Sequence, residues 1–372
     1  MFMKSPIPGS SALALFIIVG LCIAITGCIG NHRYPSTDIM VSKYDSSGQN
    51  IWSSKIDSGK QDFATAVIET SDSGYAVVGS IAYDPRAPPH PRVIRLNQTG
   101  GIVWDRTLDS SEIYSLTIAE APDGGFVVAQ NINNFDSGKI SRIDAEGHPV
   151  WNRTIDSAFK TITPTRSGGF ALAGTRTLLI DGNGTTVWDL TDSSSSLIQA
   201  ADGGFFAEYS GIPTTYGSVF RLDANGTMAW NKLIGSHQIG EITSMHENSQ
   251  GEVEVVYTYP DQTRNKDLVM FMESEQVTLG KDGNTSGTQS IVAVDPLCRT
   301  TDGGYAFLAF PFPDSAAFTT LAHADSTLHM VRLSPQGAVI WDRSLDLRQW
   351  IAPQEILETR DGGFVTLVVP GS

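Results

Sequence analysis

The residues of this 372-residue chain that could do chemistry gather in two irregular stretches. One runs from Ile81 to Arg92 and holds Tyr83, Asp84, Arg86, His90 and Arg92. The other runs from Pro311 to Met330 and holds Phe312, Asp314, Phe318, His323, Asp325 and His329. Imidazoles, carboxylates, guanidinium groups and rings on loops over a rigid scaffold are the usual material of a binding site. His323, Asp325 and His329 invite a metal or an acid–base reading, but they lack the tight spacing of a ligand set, so no metal is assigned. Asp181, Asn183, Thr185, Asp189 and Asp192 echo a calcium loop. Thr186 stands where that loop's turn glycine belongs, and a repeat that runs through the whole chain accounts for the same residues. The chain has no nucleophile elbow and no phosphate-cradling loop. A carboxylate pair for glycoside cleavage is recognised only by its separation in space. No catalytic residue and no cofactor are assigned.

Cysteine chemistry is confined to the N-terminus. Residues 12–25 form an apolar run behind Lys4, too short for a span of about 20 residues. It suits the core of a signal peptide. The run leads into Ile25-Thr26-Gly27-Cys28, which resembles the lipobox of prokaryotic lipoproteins. The resemblance implies cleavage before Cys28 and a lipid on its sulfur, with 28–37 as a short leash. An uncleaved N-terminal anchor is the alternative, and both readings export and tether the remainder of the chain. Cleavage takes Cys22, leaving Cys298 as a lone thiol, read as a small buried residue. Removing Lys4 takes the net charge from −15 to −16 (24 − 40). With so few cations a nucleic-acid-binding face is excluded. Asn97, Asn152, Asn183, Asn225 and Asn284 begin Asn-x-Ser/Thr sequons, candidate glycosylation sites on an exported protein.

These residues need a frame, and two short signatures supply it. The first is a glycine pair, or its relic, before an apolar run. It occurs at Asp72-Ser73-Gly74, Asp123-Gly124-Gly125, Ser167-Gly168-Gly169, Asp202-Gly203-Gly204, Ser249-Gln250-Gly251, Asp302-Gly303-Gly304 and Asp361-Gly362-Gly363. Such residues supply the positive φ of tight turns, and strand-like runs flank each one. The second is Asp-x-x-Gly-x-x-x-Trp, as in Asp45–Trp52, Asp144–Trp151, Asp181–Trp188 and Asp223–Trp230, with variants ending at Trp104 and Trp341. A seventh, eroded copy is placed at Glu273-Ser274-Glu275-Gln276, with Gly280 in the tryptophan slot. The first signature marks a hairpin of strands a and b, the second a hairpin of strands c and d.

The alternation, about every 50 residues, is a propeller-blade unit of four strands. Seven of each hairpin predict an all-β, seven-bladed β-propeller of four-stranded antiparallel blades. The chain opens with a c–d hairpin and closes with an a–b hairpin. Paired in one blade, the two termini close the ring and leave no open edge. The predicted organisation is therefore a signal peptide at 1–27, the lipidated Cys28 and leash at 28–37, and one propeller at 38–372. The six repeat tryptophans, Trp52, Trp104, Trp151, Trp188, Trp230 and Trp341, are read as packing between blades. Arg106, Arg153, Lys232 and Arg343, two residues later, are read as part of the same packing.

The Asp-x-x-Gly-x-x-x-Trp signature resembles the tryptophan-docking repeat of quinoprotein-like propellers, over about 38–369. The spacing is one residue shorter than that family's, and the chain lacks the adjacent cysteine pair of its quinone enzymes. The resemblance therefore implies the architecture and not the quinone chemistry. The repeat is also similar to surface propellers of archaea and bacteria. Together these readings give a membrane-tethered extracytoplasmic propeller on the outer side of the cell membrane. It would act as a monomeric, non-catalytic binding or scaffold module that offers its variable loop face to a protein or glycan. The alternative is a glycan hydrolase or lyase with its site at the central channel.

Overall fold

The computed structural model describes residues 38–82, 89–108, 115–132, 135–211, 214–234, 240–260, 272–291, 296–309, 327–348 and 351–370. They form seven four-stranded antiparallel sheets, the blades of a β-propeller. Blades 1 to 6 occupy 61–107, 115–155, 159–190, 196–234, 241–291 and 297–348. Blade 7 joins the two ends of the chain. Strands Ile351–Glu358 and Phe364–Pro370 supply its a and b positions, and Ile39–Tyr44 and Asn50–Ile56 its c and d positions. The seam is a ladder running from Met40 opposite Val368 to Tyr44 opposite Phe364. The closure expected from the out-of-phase termini is therefore present.

Burial follows strand position. Strand b lies between sheets on both faces, and Phe126–Ile132 is buried at every residue. The outer strand d alternates with solvent, as Pro149–Ile155 does. Seven apolar clusters fill the seven interfaces between neighbouring blades. One holds Ile39, Val41 and Leu367 of blade 7 against Val67, Val77 and Ile94 of blade 1. The termini are thus locked by core packing as well as by backbone pairing.

All fourteen a–b and c–d turns have the same five-residue length, such as 70–74 and 97–101. The turn aspartate caps its own backbone, as the residue type leads one to expect. Asp144 Oδ1 accepts the amides of Glu146 at 3.0 Å and His148 at 2.7 Å. The positive φ falls on the first glycine of each pair, and Ser73 adopts the same conformation at φ 65° in blade 1. The second glycine serves a different need: a Cβ on Gly125 would lie 2.4 Å from the carbonyl of Ile143.

The repeat tryptophans dock on the next blade. Trp104 Nε1 donates to the Ala145 carbonyl at 2.8 Å, and a Cβ on Gly147 would meet the Trp104 ring at 3.2 Å. Trp52, Trp188, Trp230 and Trp341 make the equivalent bond at 3.0, 3.2, 2.8 and 3.1 Å. The Trp151 ring covers Gly184, and Arg153 two residues on donates to the Gly184 carbonyl at 2.8 Å.

Blade 5 corrects the position of the eroded copy. Residues 273–276 lie inside strand Met272–Leu279, and the turn comes later, at 280–284. Gly280 replaces the capping aspartate rather than the tryptophan, so the eroded signature sits in a different register from the one its spacing suggests. Gly287, opposite Thr278, occupies the tryptophan slot. The next turn glycine, Gly337, accordingly has no side chain over it. Gln289 takes over the lost hydrogen bond, donating to the Pro335 carbonyl at 2.9 Å.

Candidate functional site

Of the eleven loop residues singled out from sequence, Tyr83, Asp84, Arg86, Phe312, Asp314, Phe318, His323 and Asp325 lie outside the described residues, as does Cys28. His90 and Arg92 belong to strand His90–Leu96, and His329 to strand Thr327–Leu333. Both strands run further into the irregular stretches than composition suggests. His90 is half-buried. The Arg92 guanidinium is buried, 2.5 Å from Asp62 Oδ1, and its Nε donates to Asp105 at 2.8 Å. His329 Nδ1 lies 2.7 Å from Asp342, and its Nε2 lies 3.2 Å from Thr327 Oγ1. Asp105 and Asp342 each follow a repeat tryptophan. Asp189 after Trp188 likewise receives Arg176 at 2.9 and 2.8 Å. Three blades thus repeat one device: a basic side chain, Arg or His, at the start of strand c meets the acid after the tryptophan. The structure brings Arg92 and His329 into separate blades rather than into one site. All five sequon asparagines are exposed, and Asn284 joins Asn97, Asn183 and Asn225 in c–d turns.

Two further repeat devices escaped the sequence reading. In five blades a buried cation near the end of strand c reaches the aspartate of the a–b turn. Arg95 meets Asp72 and Arg332 meets Asp302, each at 2.5 Å, and Lys43 meets Asp361 at 2.7 Å. Arg142 pairs with Asp123 and Arg221 with Asp202 in the same way. The remaining blades lack both partners: Ser167 and Leu179 take the two positions in blade 3, and Gln250 and Thr278 in blade 5. A buried cation without its acid is costly, so the two disappear together.

The second device links blades. The last residue of strand a accepts a backbone amide from the preceding blade's turn. Glu120 accepts from Ser71 at 2.7 Å, Gln199 from Arg166 at 2.8 Å and Glu247 from Ala201 at 2.6 Å. Glu358 accepts from Thr301 at 2.6 Å and Glu69 from Arg360 at 2.9 Å. Between blades 2 and 3 donor and acceptor vanish together, because both positions are proline, Pro122 and Pro164. The signal was a Glu or Gln three residues before the turn aspartate.

Several rules fail at once between blades 5 and 6. Arg299 stands in the amide-accepting glutamate position, Glu254 where the other blades carry Ala, Val or Phe, and Gly287 in the tryptophan slot. Arg299 pairs with Glu254 and donates to the Tyr305 hydroxyl at 2.7 Å, which donates to Gln276 at 2.5 Å. Burial pushes the Tyr305 phenol up to about 12, so it remains a donor at neutral pH. Burial first, then the Arg299 charge, holds the His246 imidazole below its ordinary value. Burial also pushes the nearby Cys298 thiol up to about 12, although the residue is half-buried rather than the fully buried one read from sequence. His246, Glu254, Gln276, Arg299 and Tyr305 form a polar cluster at the smallest of the seven apolar interfaces. A protein departs from its own repeat rules most readily where function or strain intervenes.

A cavity of about 490 Å³ opens on the turn face between blades 1 and 2. Ser71, Asp72, Arg95, Val103, Trp104 and Glu120 are among its lining residues.

No family model matches the chain, and no curated protein matches it. Solved structures do. Hydrazine synthase of Kuenenia stuttgartiensis aligns at a TM-score of 0.56 with 12% identity, over 84% of this chain and 97% of that one. A catalytically inactive virginiamycin B lyase of Staphylococcus aureus, solved with quinupristin, aligns at 0.54 with 11% identity, over 88% and 99%. The WD40 domain of Neurospora crassa Pan2 aligns at 0.53 with 13% identity, over 83% and 89%. The chain is therefore a seven-bladed β-propeller, a class that these identities define by fold alone.

Proposed function

We propose that the protein is a membrane-tethered extracytoplasmic propeller that binds a protein or glycan through its b–c face. One observation carries this reading: the two faces of the ring are built by opposite rules. Every turn on the a–b/c–d face has five residues, whereas the b–c connections range from two residues (175–176) to seventeen (310–326). Length variation over a rigid frame is how scaffolds present binding loops. The lipobox-like Ile25-Thr26-Gly27-Cys28 supports the tether, and the tryptophan docking supports kinship with quinoprotein-like repeats.

The test has two parts. Cys28→Ser should abolish metabolic lipid labelling; unchanged labelling removes the tether from the proposal. Replacing 310–326 with a two-residue connection should leave thermal unfolding intact and abolish ligand capture on glycan and surface-protein arrays. Undiminished capture moves the site elsewhere. The cluster of His246, Glu254, Arg299 and Tyr305 favours a second reading, a glycan hydrolase or lyase. Glycan turnover that His246→Gln abolishes would establish it over the binding module.

A further inference from the structure

The a–b turns give the chain an internal control for its clefts. The second turn residue is Arg360 in blade 7 and Arg166 in blade 3. Each side chain crosses to the next blade and donates to a backbone carbonyl there: Arg360 to Thr70 at 2.7 Å, Arg166 to Ala200 at 2.6 Å. In both, the amide of the same arginine is held by the next blade's Glu69 or Gln199. Two clefts of this propeller are therefore already guanidinium sites, occupied by its own arginines.

Between blades 1 and 2 the corresponding residue is Ser71. Its amide and hydroxyl are held by Glu120 at 2.7 and 2.8 Å, so the backbone linkage persists. The side chain that would cross the cleft is missing, and Ser71 instead lines the 490 Å³ cavity. One wall carries Asp72, whose side chain is 68% exposed although one oxygen holds Arg95. Glu120 stands behind it, and Val103 and Trp104 form an apolar floor for an aliphatic stem. Acceptors at the head and apolar surface along the stem are what an arginine side chain seeks.

We propose that this cleft binds an arginine side chain displayed by a partner protein, in the way Arg360 and Arg166 occupy their own clefts. The mimicry between clefts carries the proposal, and the net charge of −15 favours approach of a cationic partner. The site lies on the turn face, so it stands or falls apart from the b–c face reading.

The probe is a capped tripeptide, acetyl-Gly-Arg-Gly-amide, titrated into the full-length protein. The readouts are calorimetry and the Trp104 indole N–H resonance. The peptide should shift that resonance and bind about tenfold more tightly than its lysine counterpart, which lacks the fork geometry. Equal binding of the lysine peptide, or of free arginine, overturns the proposal. Ser71→Arg should raise the unfolding temperature and abolish binding, because it places the chain's own guanidinium in the cleft. A lowered unfolding temperature in that variant, or retained binding, overturns it as well. Glu120→Gln supplies a second check that keeps the fold, since Gln199 serves blade 4 in the same role. It should weaken the peptide about tenfold, the effect of losing one charge-assisted hydrogen bond, and an unchanged affinity counts against the site.

Discussion

Gly100 and Gly337 are matched in every respect but one. Both end the same kind of turn, at φ +80° and +79°. A Cβ on Gly100 would lie 2.6 Å from the Trp52 ring, whereas one on Gly337 would meet nothing within 4 Å. Alanine at either site carries the left-handed backbone cost of about 1–2 kcal/mol. Relief of unfolded-chain entropy offsets roughly 0.5 kcal/mol of that. Gly337→Ala should therefore cost about 1 kcal/mol. At Gly100 the ring must also retreat by about 0.9 Å to reach ordinary contact, and a gap of that size forfeits a quarter to a half of the dispersion well. Overpacking of this kind costs about 1–3 kcal/mol, and the retreat strains the 3.0 Å bond from Trp52 to the Gln98 carbonyl. Gly100→Ala should therefore exceed Gly337→Ala by about 2 kcal/mol. Urea unfolding reads this as a lower midpoint at unchanged slope. A Trp52→Gly background, which copies Gly287, should erase the difference. If the two alanines cost the same within about 0.5 kcal/mol in the intact protein, the ring-on-glycine contact does not hold the blades together.

Arg142→Leu and Asp123→Ser, which together copy blade 3, should each destabilise more alone than combined. A double-mutant cycle should give a coupling of about 1–2 kcal/mol, and a coupling near zero would dissolve the paired-loss argument. Asp361 is held down to about 2: burial acts to raise its carboxyl, but Lys43, Thr359 and the Gly363 amide together outweigh it. Its contribution is complete above the ordinary aspartate range and is lost as pH falls through that range towards about 2. Asp361→Asn should flatten acid unfolding in that window, and an identical acid limb would refute the role. Cys298 should react with a thiol reagent at about pH 8 only on unfolding, since burial pushes its thiol up to about 12. Fast labelling of the folded protein would contradict that burial.

Turn chemistry made the blade count legible. Gly and Asp recur where five-residue turns demand them, and Trp recurs where the next blade offers a bare glycine. Partners that meet across blades were less legible. Glu120 and Ser71, on neighbouring blades, lie 49 residues apart, and even within blade 2 Arg142 and Asp123 lie 19 apart. No local spacing announces such pairs, although a Glu or Gln three residues before most turn aspartates was there to read. Arg92 and His329 look like loop residues in the sequence because basic side chains beside an irregular stretch resemble ligand contacts. Their acids, Asp62, Asp105 and Asp342, become visible only when the strands pair. Gly280 obscures blade 5 because it replaces the one residue that marks the turn.

The seam that closes the ring also sets the face at which the chain enters it. Strand c begins on the b–c face, so the chain enters blade 7 at Ile39 from the side of the variable connections. With an anchor at Cys28, the ten residues 28–37 reach at most about 35 Å. On the proposed tethered reading, the point of attachment would lie on the side of the variable connections rather than on the turn side. The turn face, with the cleft between blades 1 and 2, is the face opposite that point of entry. A tether and a partner seated in that cleft would then act from opposite faces of one ring.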